Sequence, residues 1–235
     1  MQIKTVYFDL DGTLLPMDQD VFVKTYFGLL AKKLAPYGYD PEKLTKTIWA
    51  GTMAMIQNDG TVTNEEAFWN CFASVFGEKA RADIPLFEEF YANAFEAVRA
   101  QCGYDAKAAQ VIETVKKKGL RAVLATNPIF PAIATRARIR WAGLNAADFD
   151  HITTYENSSF CKPNPAYYQS ILDELGLKAE ECVMVGNDTS DDLAAAKLGM
   201  PVFFLTDCLI NAKGVDIETY PHGSFDELIE WISAL

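Results

Sequence analysis

The stretch that decides the fold is Val6-Tyr7-Phe8-Asp9-Leu10-Asp11-Gly12-Thr13-Leu14, near the start of the chain. Its apolar run, residues 6–10, stops at Asp11-Gly12, which is typical of a strand buried inside a parallel sheet. Ligands bind at the carboxyl ends of such strands, and Gly12 permits a turn that brings Asp9 and Asp11 towards one point. Two close carboxylates repel each other unless a cation or a shared proton compensates them. A divalent cation with oxygen ligands would fit there.

Three later apolar runs have the same character, and helical segments separate them. The runs are 121–126, 182–185 and 202–206, and each is bounded by turn residues. The helical segments predicted between and after them are 106–118, 131–142, 165–175, about 190–198 and about 224–234. Strands that alternate with helices indicate crossover connections and a mostly parallel sheet. We therefore predict an α/β fold with a doubly wound, mostly parallel, Rossmann-like sheet.

The stretch from about Pro16 to Cys102 interrupts this alternation. It contains no convincing strand, but its apolar residues recur with the helical period in several blocks. A capping box, Thr63-Asn64-Glu65-Glu66, precedes one of these blocks. The sequence therefore predicts a helical insertion, residues 16–102, within an α/β core of residues 1–15 and 103–235. Its methionine and aromatic residues are interpreted as packing rather than as a cofactor site.

The composition excludes several classes of protein. Half of the 235 residues are apolar and 12% are aromatic, so the chain can bury a sizeable core and is neither disordered nor of low complexity. The 32 acidic residues outnumber the 21 basic ones, which gives a net charge of −11. Because no run rich in lysine and arginine is present, we do not expect a nucleic acid partner.

The cysteines and the termini favour a reducing compartment. The five cysteines are odd in number and scattered, which fits neither a disulfide framework nor a CxxC metal pattern. With only two histidines besides, a Cys/His zinc site is not expected. We see no signal peptide and no apolar run of about 18 residues that would span a membrane. The sequence therefore predicts a cytoplasmic protein without a membrane partner.

The run DLDGTL, residues 9–14, resembles motif one of the haloacid dehalogenase-like superfamily of phosphohydrolases. The other motifs of that superfamily occur in the expected order. Thr126, at the end of the second predicted core strand, resembles motif two, in which a hydroxyl and the next backbone N–H hold a phosphoryl oxygen. Lys162, in Phe160-Cys161-Lys162-Pro163, resembles motif three, whose lysine reaches the nucleophile and the phosphoryl group. The helical insertion has the position of the superfamily's cap.

The segment from Gly186 to Asp192 resembles motif four, the acidic magnesium loop, but its register is open. The superfamily pattern is Gly-Asp, then three or four residues, then Asp, whereas Asn187 here separates the glycine from the acid. Asp188 with Asp192 fits the shorter spacing, and Asn187 with Asp192 fits the longer one. We favour Asp188 as the metal ligand because a carboxylate binds magnesium better than an amide does.

The resemblance implies a mechanism. Asp9 would be the nucleophile that forms an aspartyl-phosphate, and Asp11 would protonate the leaving oxygen and then deprotonate the attacking water. A magnesium ion, Mg²⁺, would be held by the Asp9 carboxylate, the Asp11 main-chain carbonyl and Asp188. The groups expected around the phosphoryl oxygens are Thr126, Lys162 and the backbone N–H groups near Leu10 and Asn127.

Asp11 also separates branches of the superfamily. The dehalogenases lack an acid at this position, and the transport ATPases carry Thr there and have membrane spans, so the resemblance implies a phosphohydrolase acting on a small phosphorylated metabolite. A phosphomutase of the same superfamily, a metabolite-binding regulator without turnover and a flavodoxin-like phospho-acceptor remain alternatives. A monomer and a homodimer are equally compatible with the sequence. In the cap, candidates for residues facing the site are Gln19, Trp49 and Met53, with packing or surface roles as the alternative for each.

Overall fold

The apolar run at the start of the chain forms the central strand of a six-stranded parallel sheet. The computed structural model describes residues 2–235. The order of the strands in the sheet is β3-β2-β1-β4-β5-β6. Their bounds are β1 Thr5–Phe8, β2 Arg121–Leu124, β3 His151–Ile152, β4 Cys182–Gly186, β5 Val202–Leu205 and β6 His222–Gly223. The chain extends the sheet from β1 in one direction through β2 and β3 and then returns to the other side of β1, so the carboxyl end of β1 is the switch point at which α/β sheets bind ligands.

Both faces of the sheet are covered. Along β1, Val6 and Phe8 point into one apolar cluster and Tyr7 points into the other, because successive side chains of a strand face opposite ways. The first cluster contains residues of helices α6, α7 and α9, and the second contains residues of α8 and of the 3-10 helix Asp192–Leu198. The bounds of these helices are α6 Lys107–Lys117, α7 Ala132–Trp141, α8 Pro165–Leu175 and α9 Phe225–Ala234. The predicted doubly wound α/β fold is therefore confirmed.

The structure refines the predicted elements in three places. The helical segment predicted at about 190–198 is present as the 3-10 helix Asp192–Leu198, whose first residue is fully buried. The two-residue strands β3 and β6 at the sheet edges were not predicted, because so short a segment carries no alternation of apolar and polar residues. The first strand also ends at Phe8, so Asp9 and Leu10 lie in the loop beyond it.

A helical segment separates β1 from β2. It contains α1 Gln19–Leu34, α2 Pro41–Ile56, α3 Asn64–Phe76, α4 Lys79–Ala82 and α5 Ile84–Ala92, followed by the 3-10 helix Ala94–Gln101. No strand is assigned between residues 19 and 101, all of which the structure describes. Where the chain enters and leaves this segment, Met17 and Cys102 form an antiparallel bridge, and the Gly103 N–H donates to the Pro16 carbonyl at 2.7 Å. The entry and exit points therefore lie side by side.

The N-terminus of α3 joins this segment to the loops that follow the core strands. The predicted capping box is present, with Thr63 accepting from the Glu66 N–H and Glu66 accepting from the Thr63 N–H. Next to it, the fully buried Asn64 donates to the Pro128 carbonyl at 3.2 Å and to the Phe160 carbonyl at 3.3 Å. One buried amide thus ties α3 to the loops that carry motifs two and three.

Within residues 2–235, no helix combines the length and the apolar character needed to cross a lipid bilayer.

Phe72 tests how far the helical segment depends on its aromatic packing. The side chain is fully buried on α3, and its ring lies 5.0 Å from that of Phe76 and 5.4 Å from that of Phe87 between centroids. We expect Phe72→Ala to lower the free energy of unfolding by about 3–5 kcal/mol, because it opens a cavity. Val75→Ala, at an exposed position of the same helix, is the control and should change it by less than about 0.5 kcal/mol. Urea denaturation followed by circular dichroism measures both, and similar losses would contradict this packing.

Candidate active site

A cavity of about 140 Å³ opens at the carboxyl ends of β1, β2 and β4. The parallel sheet brings together here the loops that contain all four sequence motifs, although motif one and motif four are separated by more than 170 residues of sequence. Of the residues predicted from the four motifs, the buried Leu10 does not line this cavity, whereas the others do, namely Asp9, Asp11, Thr126, Asn127, Lys162 and Asp188. Asn187, Asp191 and Asp192 line it as well.

The charge of Lys162 is buried between two carboxylates. Its Nζ donates to Asp9 Oδ1 at 2.8 Å and to Asp192 Oδ1 at 2.7 Å, and the side chains of Lys162 and Asp192 are each 1% exposed. Burial alone would lower the pKa of Lys162, but the charges of Asp192 and Asp9 outweigh it and hold that pKa well above its ordinary value. The amine is therefore positively charged at neutral pH.

Asp192 also orders the loop that follows β4. Its second carboxylate oxygen accepts the backbone N–H groups of Asn187 and Asp188, both at 2.9 Å. Gly186 lies against this carboxylate, and a Cβ at that position would overlap Asp192 Oδ2. Burial raises the pKa of Asp192, while Lys162 acts in the opposite direction. The last acid of motif four thus pairs with the lysine of motif three and holds the loop that carries Asp188.

Asn187 and Asp188 point in different directions. The Asn187 side chain is 1% exposed, lies 2.9 Å from the Thr13 hydroxyl through Oδ1, and donates through Nδ2 to the Cys208 carbonyl at 2.7 Å. Asp188 is partly exposed, and its Oδ1 accepts the backbone N–H groups of Ser190 and Asp191. The amide at 187 is therefore used to join loops, whereas Asp188 keeps a second carboxylate oxygen without a hydrogen-bond partner among residues 2–235.

The turn after β1 fits closely against the Asn187 side chain. Gly12 has a φ of +86°, in the left-handed region that favours glycine, and a Cβ at this position would overlap Asn187 Nδ2. The Thr13 hydroxyl, which is fully buried, lies 3.2 Å from Asp9 Oδ2 as well as near Asn187. The glycine of the DLDGTL run is thus required by both backbone conformation and space.

Arg138 of α7 forms an ion pair with Asp11 that was not predicted. The guanidinium is fully buried, donates to Asp11 Oδ2, and lies over the Phe130 ring at 4.3 Å from its centroid. Two atoms of this pair, Asp11 Oδ1 and Arg138 Nε, are buried without a hydrogen-bond partner among residues 2–235. Burial raises the pKa of Asp11, and the charge of Arg138 acts in the opposite direction.

A pattern in the sequence could have identified Arg138. Four of the six buried residues of α7, namely Ala134, Ala137, Arg138 and Trp141, follow the i, i+3, i+4, i+7 spacing of a face that packs on the core. An arginine at an apolar position of that face requires a buried acid as its partner. Neighbouring arginines at 136 and 140 obscured this signal.

Two backbone N–H groups and the Asn127 side chain belong to the loops around the cavity. Within residues 2–235, the N–H groups of Leu10 and Asn127 donate to no protein acceptor. The Asn127 side chain accepts from the Lys162 N–H and donates to Asp191 Oδ2, both at 3.2 Å. Free donors therefore lie beside the aspartates, as the resemblance to phosphohydrolases requires.

The three cap candidates have different positions. Gln19 lines the small cavity, and its Nε2 lies 3.4 Å from the Asp11 carbonyl oxygen. Trp49 lines a second, larger cavity and is half exposed. Met53 is exposed and lines neither of these two cavities.

The substitution Lys162→Met tests how much the buried charge of this lysine contributes to the free energy of unfolding. We expect the free energy of unfolding at pH 7 to fall by about 3–5 kcal/mol, because the Asp9 and Asp192 carboxylates lose their buried cation. The raised pKa of Lys162 means that this contribution is fully present at pH 7 and disappears only above the ordinary lysine range.

The control for this substitution is Lys4→Met. It breaks an ion pair with Glu181 of 2.6 Å at the surface, where solvent and salt screen the charges, and a much smaller loss is expected. Urea denaturation measures both variants. Equal losses would show that the buried position of Lys162 adds nothing.

A comparison with known families agrees with this geometry. The model of the haloacid dehalogenase-like hydrolases matches residues 3–199. This range contains the DLDGTL run, Thr126, Lys162 and the loop after β4, so the match covers all four motifs and the helical segment between the first two.

Individual relatives are similar over nearly the whole chain. The phosphoglycolate phosphatase of Agrobacterium fabrum is 25% identical over 212 residues, which are 90% of this chain and 84% of the relative. The glyceraldehyde 3-phosphate phosphatase of Methanothermobacter thermautotrophicus is 28% identical over 222 residues, 92% of this chain and 91% of the relative. The crystal structure of the YfnB hydrolase of Bacillus subtilis bound to magnesium has the same fold, with a TM-score of 0.58, 20% identity and 99% of each chain covered. The chain therefore belongs to the haloacid dehalogenase-like hydrolase family and is a phosphatase, a hydrolase of phosphoric monoesters.

Proposed function

We propose that the chain is a magnesium-dependent phosphatase of low-molecular-weight phosphorylated metabolites that works through an aspartyl-phosphate. The observation that carries this proposal is the position of Asp9, which lines the cavity beside Asp11 with one carboxylate oxygen hydrogen-bonded to Lys162. A carboxylate held next to a buried cation, with a second acid in the same cavity, can act as a nucleophile with an acid/base partner.

In the first step Asp9 attacks phosphorus. The bond from its carboxylate oxygen to phosphorus forms as the bond from phosphorus to the ester oxygen breaks. Lys162, the Thr126 hydroxyl and the backbone N–H groups of Leu10 and Asn127 surround the position for the phosphoryl oxygens and offset their negative charge as the transition state forms. Fixed donors of this kind need no reorganisation during the reaction.

Asp11 transfers the protons. In its acid form it gives a proton to the departing oxygen, and it then takes a proton from the water that attacks the aspartyl-phosphate and regenerates Asp9. Burial favours the acid form of Asp11, while the Arg138 guanidinium favours the carboxylate, so the two influences oppose each other at the group that must alternate between both forms. Arg138 also fixes the direction of one carboxylate oxygen.

The charges of the cavity fit a divalent cation. Five aspartates, at positions 9, 11, 188, 191 and 192, line it, and the buried cations beside them are Lys162 and Arg138. A phosphate ester adds further negative charge, so a hard cation with oxygen ligands would relieve the repulsion. When bound, Mg²⁺ neutralises charge and aligns the phosphoryl group.

The residues that would hold Mg²⁺ are the Asp9 carboxylate, the Asp11 main-chain carbonyl and the free carboxylate oxygen of Asp188. Asn187 is the weaker candidate because its amide already contacts Thr13 and the Cys208 carbonyl. No three His, Cys, Asp or Glu side chains in residues 2–235 converge into a metal cluster of their own. The proposed set needs only two carboxylates, since Mg²⁺ retains several water ligands.

The relatives support the kind of substrate and the metal. Two of them act on phosphoglycolate and glyceraldehyde 3-phosphate, and a hydrolase of the same fold binds magnesium. We further propose that residues 16–102 form the cap domain and that residues 1–15 and 103–235 form the catalytic core, since the chain enters and leaves the helical segment at the paired Met17 and Cys102. Cytoplasmic location and a monomeric or homodimeric state stay predictions.

Release of phosphate from p-nitrophenyl phosphate tests the proposal. We expect turnover with magnesium, its loss on addition of EDTA, and a fall of at least about a thousandfold in Asp9→Asn, which lacks the nucleophile. Asp207→Asn is the control, because Asp207 follows β5 at the same edge of the sheet but is exposed and lies outside the cavity. Turnover that survives both EDTA and the loss of Asp9 would contradict the mechanism. Transfer of phosphate to a second hydroxyl of a sugar phosphate, without its release, would indicate a phosphomutase.

Asp11→Asn tests the acid/base role separately. The variant keeps Asp9 and Lys162, and p-nitrophenolate leaves without a proton, so the first step should proceed. Hydrolysis of the aspartyl-phosphate should slow by about 10²–10⁴-fold, because no base activates the water. We therefore expect a rapid initial release of p-nitrophenolate and a phosphorylated Asp9 that mass spectrometry detects. Slow release with no accumulated phosphoenzyme would assign Asp11 a different role.

A further inference from the structure

A second cavity, of about 700 Å³, adjoins the acidic one. Val23, Ile129 and Phe130 line both cavities and form their common wall. A cavity of this size is typical of sites that enclose a ligand much larger than a two-carbon acid. Whatever is attached to a phosphoryl group beside Asp9 therefore has this space as its neighbour.

The wall of the larger cavity is mainly aromatic. Helices α1, α2, α3 and α5 contribute Tyr26, Trp49, Trp69 and Tyr91, and the core contributes Phe130 and Tyr155. The Tyr26 ring lies 5.5 Å from the Phe130 ring and is stacked on the Tyr91 ring at 6.2 Å. Rings of this kind offer large apolar faces whose negative quadrupoles also attract cations.

The charged groups of this wall are all acidic. Glu65, Glu88, Glu89 and Glu156 line the cavity, and none of its lining residues within the described chain is a lysine, arginine or histidine. Glu89 is paired with Lys33 at 2.7 Å, and Glu156 accepts the Ala132 N–H. Burial and the neighbouring carboxylates, first that of Glu156, raise the pKa of Glu65. Among the lining residues of the described chain, a carboxylate on a ligand would therefore meet carboxylates and no cationic side chain.

We propose that the larger cavity binds the alcohol part of the substrate, and that this alcohol is bulky, aromatic or branched, and either neutral or cationic. The inference rests on the proposed function for the position of the phosphoryl group. It separates this chain from its phosphoglycolate phosphatase relative, because phosphoglycolate is small and carries a carboxylate on the part that would enter the acidic, aromatic space. The cap helices thus select esters by size and by the absence of negative charge.

A matched set of phosphate esters tests whether the protein selects the alcohol part of its substrate by size and by charge. Benzyl phosphate, its 4-carboxy derivative and its 4-aminomethyl derivative differ in charge at nearly constant shape, and 2-naphthylmethyl phosphate and phosphoglycolate extend the range of size. We expect kcat/KM for 2-naphthylmethyl phosphate to exceed that for phosphoglycolate by about a hundredfold or more. The 4-carboxy derivative should fall below benzyl phosphate by at least about tenfold, and the 4-aminomethyl derivative should not.

Substitutions at two residues that line the larger cavity test whether this lining causes the preferences for size and charge. Trp49→Ala removes an aromatic face and should lower kcat/KM for 2-naphthylmethyl phosphate by about tenfold while leaving phosphoglycolate unchanged. Met53→Ala is its control, since Met53 lies one turn further along α2, is similarly exposed and does not line the cavity. Glu65→Gln should reduce the discrimination against the 4-carboxy ester.

A binding measurement separates this inference from the proposed chemistry. Calorimetric titration of the Asp9→Asn protein with 2-naphthylmethyl phosphonate, in magnesium, should show binding that weakens about tenfold in the added Trp49→Ala background. Such binding without turnover of any ester would support the cavity and overturn the proposed function. Turnover that favours phosphoglycolate, or binding and kinetics insensitive to both Trp49 and Glu65, would overturn the assignment of the cavity and leave the phosphatase mechanism intact.

Discussion

The amine of Lys162 is buried between Asp9 and Asp192, two carboxylates that follow different strands of the sheet. A buried charge is tolerated only with close partners, so the lysine fixes the loops after β1 and β4 relative to its own loop. Asp192 extends the constraint, because its other oxygen holds the N–H groups from which the Asp188 loop begins. The parallel order of the strands brings these loops to one edge of the sheet. The ion pairs of Lys162 then fix their positions relative to one another.

The two cavities differ in the chemistry of the side chains that line them. The core contributes acids, a buried lysine and free N–H groups, which are suited to a phosphoryl group. The helical segment contributes aromatic rings and further acids, which are suited to the remainder of a ligand. Phe130 links them, since its ring contacts the Arg138 guanidinium on one side and lies near Tyr26 of α1 on another. Asn64 and the bridge between Met17 and Cys102 hold the segment to the core at separate points.

Most of the fold and the composition of the cavity follow from local sequence patterns. Four strands are continuous apolar runs that stop at turn residues, and the DLDGTL run marks the sheet edge where the motifs meet. The edge strands β3 and β6 are set by pairing with their neighbours, which local sequence does not encode. The pairing of Arg138 with Asp11 spans 127 residues, and only the spacing of the buried face of α7 hints at it. The larger cavity results from the packing of helices against one another, for which a single sequence offers no distances.

The contact between Gly12 and Asn187 limits which residues positions 12 and 187 can hold. The amide at 187 accepts from Thr13 and donates to the Cys208 carbonyl, so an aspartate there would set one acceptor against another. The acid of this loop stands one position later, at 188. An aspartate at 187 would need a compensating change near the Cys208 carbonyl, and a side chain at 12 would overlap the Asn187 amide. Because each position fits the other, a substitution at 12 or at 187 made alone is expected to lower stability more than a matched pair of changes.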